Sequence, residues 1–164
     1  MQLSTRGRYA VMAMVDLAVR ETAVFPTASV SLAEIADRQQ LSQSYLEQLF
    51  GKLRRAGLVS SARGPGGGYR LSRAAADIAI AAIVAAVDEP TKATRCEAGS
   101  SGCLIHADQD HGSGKCQTHD LWTELGRQID LFLSGVTLAD VVLGRVIGRA
   151  AAVTPPARVP AGAK

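Results

Sequence analysis

The sequence predicts a mainly α protein with a small β-hairpin (α+β): a winged helix-turn-helix followed by a long C-terminal dimerisation helix. Three observations predict it. Two short helices with their own start signals stand back to back between Ser31 and Gly57. A glycine-rich turn, Arg63-Gly64-Pro65-Gly66-Gly67-Gly68, then separates two short extended stretches. Far downstream, Asp120 to Ser134 carries a broad apolar face.

The elements follow in order. Thr5 to Glu21 has Tyr9, Met12, Val15 (or Asp16) and Val19 at three-to-four spacing, and Phe25-Pro26 closes it. Ser31 and Glu34 form a capping box, and Val30 and Ile35 a hydrophobic staple, for a helix from Leu32 to about Gln40. Ser42 is the expected N-cap of the next helix, Ser42 to Ala56. Its Leu46, Leu49, Phe50 and Leu53 fall at i, i+3, i+4 and i+7 and form one buried stripe. Gly57 supplies the left-handed residue that stops it. Leu58 to Arg63 and Tyr69 to Leu71 pair as the hairpin. Ile78 to Asp88 is apolar almost all round and reads as a buried helix closed by Pro90. Residues 91–118 form a long polar loop. In Asp120 to Ser134, Leu121, Trp122, Leu125, Ile129, Phe132 and Leu133 share a face. Thr137 and Asp140 cap a last helix to about Arg149, and an Ala/Pro-rich tail follows. The expected division is 1–90 for the DNA-binding domain, 91–119 for a Cys/His loop, 120–149 for dimerisation helices and 150–164 for a disordered tail.

Composition narrows the function classes. The chain has 164 residues, 47% of them hydrophobic, which suffices for a core. No apolar run is long enough for a membrane span. The opening MQLSTRGRYAV lacks the order of a secretory signal, so a cytoplasmic protein is expected. Residues 1–70 hold nine Lys/Arg against five Asp/Glu, a balance of +4, and the remainder nine against ten, a balance of −1. The basic excess sits where the helix-turn-helix does, as a double-stranded DNA partner requires.

The chemistry of the second short helix agrees. With its stripe buried, Gln43, Ser44, Tyr45, Glu47 and Gln48 are expected outward. Gln48 can pair with adenine, and Glu47 can accept from cytosine N4. Ser42, Ser44 and Tyr45 can donate to phosphate oxygens, and Lys52, Arg54 and Arg55 can neutralise them. Arg63 on the wing, with Gly66 and Gly67 allowing close approach, suits a minor groove. A phosphate-binding P-loop does not fit, because no Lys follows the glycines and the next element is a strand. A non-DNA adaptor using the wing on a protein stays open.

The three cysteines cluster. Cys96, Cys103, Cys116 and His119 read C-x6-C-x12-C-x2-H, and no other Cys occurs. Three thiolates and one imidazole can hold a structural Zn²⁺ or a [2Fe–2S] cluster, and spacing does not separate the two. His106 and His111 compete with His119, which has the short reach to Cys116. A Cys–His hydrolase is disfavoured, since both groups share a Gly/Ser-rich loop with no substrate-sized core around it. No enzyme is expected.

The segments LSTRGRYAVMAMVDLA, LSQSYLEQLFGKLRRAGLVSSARGPGGGYRL and AVDE…TRC…C…KCQTHDLW resemble the IscR-type iron–sulfur cluster assembly regulators, winged-helix cluster-sensing transcription factors. The resemblance runs from about Met1 to Val142. It implies a homodimer with one labile [2Fe–2S] cluster per subunit on Cys96, Cys103, Cys116 and His119. It implies reading-helix residues Ser44, Tyr45, Glu47 and Gln48, with Arg63 on the wing. It further implies control of iron–sulfur assembly and stress genes, repression among its modes, and a cluster donor from the assembly machinery as a partner. Relatives that respond to nitric oxide, and a zinc-bound winged-helix repressor, are the alternatives. One departure stands out: the family's three Cys are closely and evenly spaced, whereas twelve residues separate Cys103 from Cys116 here.

Overall fold

The computed structural model describes residues 5–23, 29–64, 66–88 and 117–147. Helix α1 spans Thr5–Ala23, α2 Leu32–Gln39 and α3 Gln43–Arg55. Strands β1 (Val59–Ala62) and β2 (Gly68–Leu71) follow, then a 3-10 turn (Ala75–Asp77) and α4 (Ile80–Ala86). Helices α5 (His119–Gly135) and α6 (Leu138–Val142) complete it. The division of the chain into functional regions rests partly on 89–116 and 148–164, which lie outside the described residues.

Helix α1 is the spine, but it buries a different face from the one its large side chains suggest. Ala10, Ala13, Met14, Leu17 and Ala18 are in the core, whereas Met12 and Val19 are exposed and Tyr9 and Val15 only half-buried. The reason is steric. Four neighbouring helices converge on α1, and alanines let their backbones approach where larger residues would hold them off.

Helices α2 and α3 form as their caps dictate. The Ser31 box is complete: Ser31 N–H donates to Glu34 Oε2 at 3.1 Å and Glu34 N–H to Ser31 Oγ at 3.3 Å. Gln40 takes the left-handed conformation (φ 52°) that turns the chain from α2 into α3. Leu46, Leu49, Phe50 and Leu53 are all buried, and Gly57 (φ 69°) ends the run. Asp16 of α1 is buried as well. Arg38 grips it through Nε and Nη2 (2.6 Å at the shortest), and Gln39 Nε2 donates at 2.9 Å, so α2 is tied to α1.

The hairpin is antiparallel, with Val59 opposite Leu71 and Ala62 opposite Gly68. It is pinned to the start of α2: Val30 N–H donates to the Tyr69 carbonyl at 3.0 Å, and Tyr69 N–H to the Val30 carbonyl at 2.8 Å. Ser29 Oγ donates to the Gly66 carbonyl at 2.6 Å.

Two further sequence expectations are corrected. The helix expected over Ile78 to Asp88 begins at Ile80, because Ile78 and Ala79 are extended and bridge to the α5–α6 junction. Ile80 N–H donates to the Val136 carbonyl (2.9 Å), and Leu138 N–H to the Ile78 carbonyl (2.8 Å). It is also one-sided, with Ile80, Ile83, Val84 and Val87 buried and Ala82 and Ala85 exposed. The last helix stops at Val142 instead of Arg149. Gly144 turns left-handed (φ 67°), its N–H donates to the Val141 carbonyl, and Arg145 N–H donates to the Asp140 carbonyl. Val136 and Leu138 bring the C-terminal part into the core that α1 and α4 share.

Candidate nucleic-acid interface

The candidate reading face is the N-terminal half of α3. Gln43, Ser44, Glu47 and Gln48 are exposed, as the buried stripe requires. Ser42 occupies the N-cap position but makes no side-chain cap to the backbone, because its hydroxyl pairs with Ser44 Oγ at 2.9 Å. Gln43 Nε2 donates to Glu47 Oε1 at 3.2 Å, one turn along. Tyr45 is not fully outward. It is half-buried, with its ring edge-on to Tyr9 at 6.2 Å and 88°. An aromatic ring beside the apolar stripe gains more from covering α1 than from standing in water.

The three cations after the reading face are engaged within the chain. Lys52 Nζ donates to Asp88 Oδ2 at 2.6 Å, Arg54 to Ser61 Oγ at 3.3 Å, and Arg55 Nε to the Gly51 carbonyl at 3.3 Å. Between the first turn of α1 and α3 lies a shallow groove of about 340 Å³, lined by Thr5, Arg6, Tyr45, Gln48, Leu49 and Lys52.

Arg63 and Arg70 are exposed on the wing. Its glycines have distinct reasons. Gly64 (φ 102°) and Gly66 (φ 75°) need the left-handed region, and Gly67 N–H closes the turn on the Gly64 carbonyl at 2.8 Å. At Gly67 a Cβ would fall 2.6 Å from the Ala62 carbonyl oxygen, and at Gly68 2.4 Å from that of Val30. Glycine at 67 and 68 thus serves the wing's own packing, apart from any approach to a ligand.

The wing is also braced from behind. Leu71 N–H donates to Glu21 Oε1 at 2.6 Å, and partial burial pushes the Glu21 carboxyl above its ordinary pKa despite that bond and the charge of Arg70.

Of the expected ligand set, Cys96, Cys103 and Cys116 lie outside the described residues, as do His106 and His111. His119 is the first residue of α5 and is half-buried. Beyond it, α5 buries none of its residues: Leu121, Trp122, Leu125, Leu131 and Phe132 are exposed. Its polar side is paired within itself. Arg127 Nε and Nη2 donate to Glu124 at 2.8 Å and Gln128 Nε2 at 2.6 Å, and together they draw the Glu124 carboxyl down to about 2.

A family model described as Rrf2, iron-dependent transcriptional regulator, matches residues 3–143. The chain belongs to the Rrf2 family. This Rrf2 chain is 48% identical over 142 residues to the HTH-type transcriptional regulator IscR of Serratia proteamaculans, covering 87% of the chain and 79% of the relative. It is 52% identical over 143 residues to ORF2 of Azotobacter vinelandii, named for an HTH-type transcriptional regulator, with the same coverage. Among solved structures it superposes on T. potens IscR with a TM-score of 0.65 at 36% identity, covering 88% of each chain. The global cysteine regulator CymR of B. subtilis superposes at 0.66 with 29% identity, over 88% of this chain and 98% of that one. The Rrf2 chain is thus a DNA-binding transcriptional regulator of the IscR type with a winged-helix fold, and its relatives are regulators and not enzymes. Among the described residues no helix is long and apolar enough to cross a membrane.

Three residues that position this surface carry no local sequence signal. Asp16, Ser29 and Asp88 find their partners 22, 37 and 36 residues away.

Proposed function

We propose that this chain reads promoter DNA as a homodimer and that its grip follows the state of a [2Fe–2S] cluster held by Cys96, Cys103, Cys116 and His119. The observation that carries the reading is the place of His119. It opens α5, whose Leu121, Trp122, Leu125 and Phe132 are exposed while Leu133 packs on the core of its own chain. A change at the ligand set is therefore transmitted into the surface on which a second copy packs. The donor set fits the group: three thiolates and one imidazole meet its four-ligand need. When bound, the cluster supplies a centre gained and lost with iron and sulfide supply.

The chain's own residues do the reading. Gln48 offers adenine a paired donor and acceptor, and Glu47 accepts from cytosine. The first-turn amides of α3, left without a side-chain cap, join Ser42, Ser44 and Tyr45 in meeting phosphate oxygens. Arg63 leads the wing, with Gly66 and Gly67 at its tip, into a minor groove. A two-fold dimer sets the two reading helices about one turn of DNA apart, ~34–36 Å. A cytoplasmic setting and a cluster donor from the iron–sulfur assembly machinery belong to the same reading.

The test is anaerobic purification with a visible spectrum and an iron and sulfide assay, on the unmodified chain and on Cys103→Ala. Colour with equimolar iron and sulfide, lost in Cys103→Ala, is the expected result. A difference in promoter affinity between loaded and emptied forms of roughly 5–150-fold should accompany it. Metal without sulfide would point to the zinc site that the same donors can build. Colour retained in Cys103→Ala would remove Cys103 from the set. A nitric oxide titration of colour and binding identifies a nitric-oxide-responsive regulator.

A further inference from the structure

Asp88 follows α4 with a left-handed backbone (φ 56°), and its carboxylate reaches α3. The partner there is the Lys52 ammonium at 2.6 Å. The carboxylate is mostly in water, 74% exposed against 29% for Lys52. An ion pair so exposed adds little to the fold, so its effect is to be sought at the surface.

That surface adjoins the reading face. Lys52 lies one turn beyond Gln48 and shares the groove with Thr5, Arg6 and Tyr45. Three cations act on Asp88: Lys52 first, by hydrogen bond and charge, then Arg6 and Arg55, and they hold its carboxyl below the usual carboxylate range. Next to it, Arg6 Nη1 donates to the Val87 carbonyl at 3.5 Å. One carboxylate thus faces the cations of α1 and α3 that border the reading face.

We propose that Asp88 is a built-in competitor for DNA phosphate: it occupies Lys52 in the free protein, and a backbone phosphate displaces it on binding. The inference rests on the DNA-reading role of α3. Carboxylate and phosphate oxygens satisfy an ammonium in the same way, so the intramolecular anion must leave before the phosphate is seated. Asp88 accordingly lowers DNA affinity and hides one cation from the salt dependence.

The experiment measures affinity against salt concentration for the full chain on a short fluorescein-labelled duplex of mixed sequence. Asp88→Asn keeps the volume and suits the left-handed backbone. It should steepen the log–log slope by about 0.9 and tighten binding about threefold to tenfold at ~0.1 M salt, the worth of one more phosphate contact. Asp88→Ser should do the same. Lys52→Gln alone removes the cation that receives the phosphate and should weaken binding, by less than the Asp88→Asn gain because Asp88 already offsets part of that charge. Combined with Asp88→Asn, it should abolish the gain. The proposal is overturned if Asp88→Asn leaves slope and affinity unchanged, or if the gain survives Lys52→Gln. An unmodified chain without salt-dependent duplex binding would overturn the DNA-reading role and this inference together. A binding chain indifferent to Asp88→Asn would overturn this inference alone.

Discussion

Helices α3 and α5 have the same kind of apolar periodicity and opposite fates. In α3 the stripe of Leu46, Leu49, Phe50 and Leu53 is buried by α1, α2, β1 and α4. In α5 much of the equivalent stripe remains in water, with Leu121 61% and Phe132 42% exposed although Ile129 and Leu133 are half-buried, and Leu131, Phe132, Gly135 and Val136 line a groove of about 330 Å³. The polar side of α5 is meanwhile self-satisfied through Glu124, Arg127 and Gln128. Periodicity states that a face will be buried and is silent on what buries it. The reading head closes on itself, and under the proposed homodimer the long helix is half of an interface.

The most direct way to break this comparison is to make the α5 face polar. Leu125→Asp combined with Phe132→Asp should leave a folded monomer by light scattering with an unchanged far-ultraviolet spectrum. Two linked heads bind more tightly than one by about 10²–10⁴-fold, so the double variant should lose DNA affinity on that scale. A persistent dimer would assign association to another surface, and Met12 and Val19 on the outer side of α1 are the apolar residues to examine next.

The same contrast explains what was legible in the sequence. Caps are local, and both boxes stand as expected: Ser31 with Glu34, and Thr137 with Asp140 (Asp140 N–H to Thr137 Oγ1, 3.1 Å). The α3 stripe was legible because its residues are large and only one face carries them. The spacing of bulky residues marks α1 as a helix but not the face it buries, because packing there favours Ala10, Ala13 and Ala18. The Leu138-to-Ile78 hydrogen bond joins segments 60 residues apart and has no local signature, so the apolar pattern alone places the start of α4 two residues early. At the site, the outward set on α3 followed from the stripe, but Tyr45 turned toward Tyr9, and Lys52 found Asp88. Both depend on where α1 and α4 lie in space.

A second substitution sharpens the comparison from the head's side. Phe50 is fully buried, and its ring meets Tyr69 of β2 at 4.8 Å and 66°, joining reading helix to wing. Phe50→Ala, introduced into the monomeric double variant so that association does not enter, should cost about 3–5 kcal/mol in urea titration. A cost below about 1 kcal/mol would mean that the head's core is not assembled without its partner copy.

The smallest expected effect concerns how the head holds its two helices in register. Asp16 is 8% exposed and receives Arg38 and Gln39. Burial alone would raise its pKa; the hydrogen bonds of Arg38 and Gln39 and the charges of Arg38 and Arg20 outweigh it, leaving the carboxyl below its ordinary value of 3.8. A carboxyl depressed on folding contributes stability above its unfolded pKa and loses it as the pH falls through the folded value. Asp16→Asn should therefore cost about 1–2 kcal/mol at neutral pH, the scale of a charge-assisted hydrogen bond. The difference from the unmodified chain should shrink below pH ~4 and vanish in stronger acid. A cost independent of pH would show that side-chain shape, and not the carboxylate's charge, holds α2 to α1. If α2 sets the pose of α3 through this tie, promoter affinity should fall at neutral pH even where Asp16→Asn remains fully folded. The α5 face has no corresponding buried charge, so its association should not follow this acid profile.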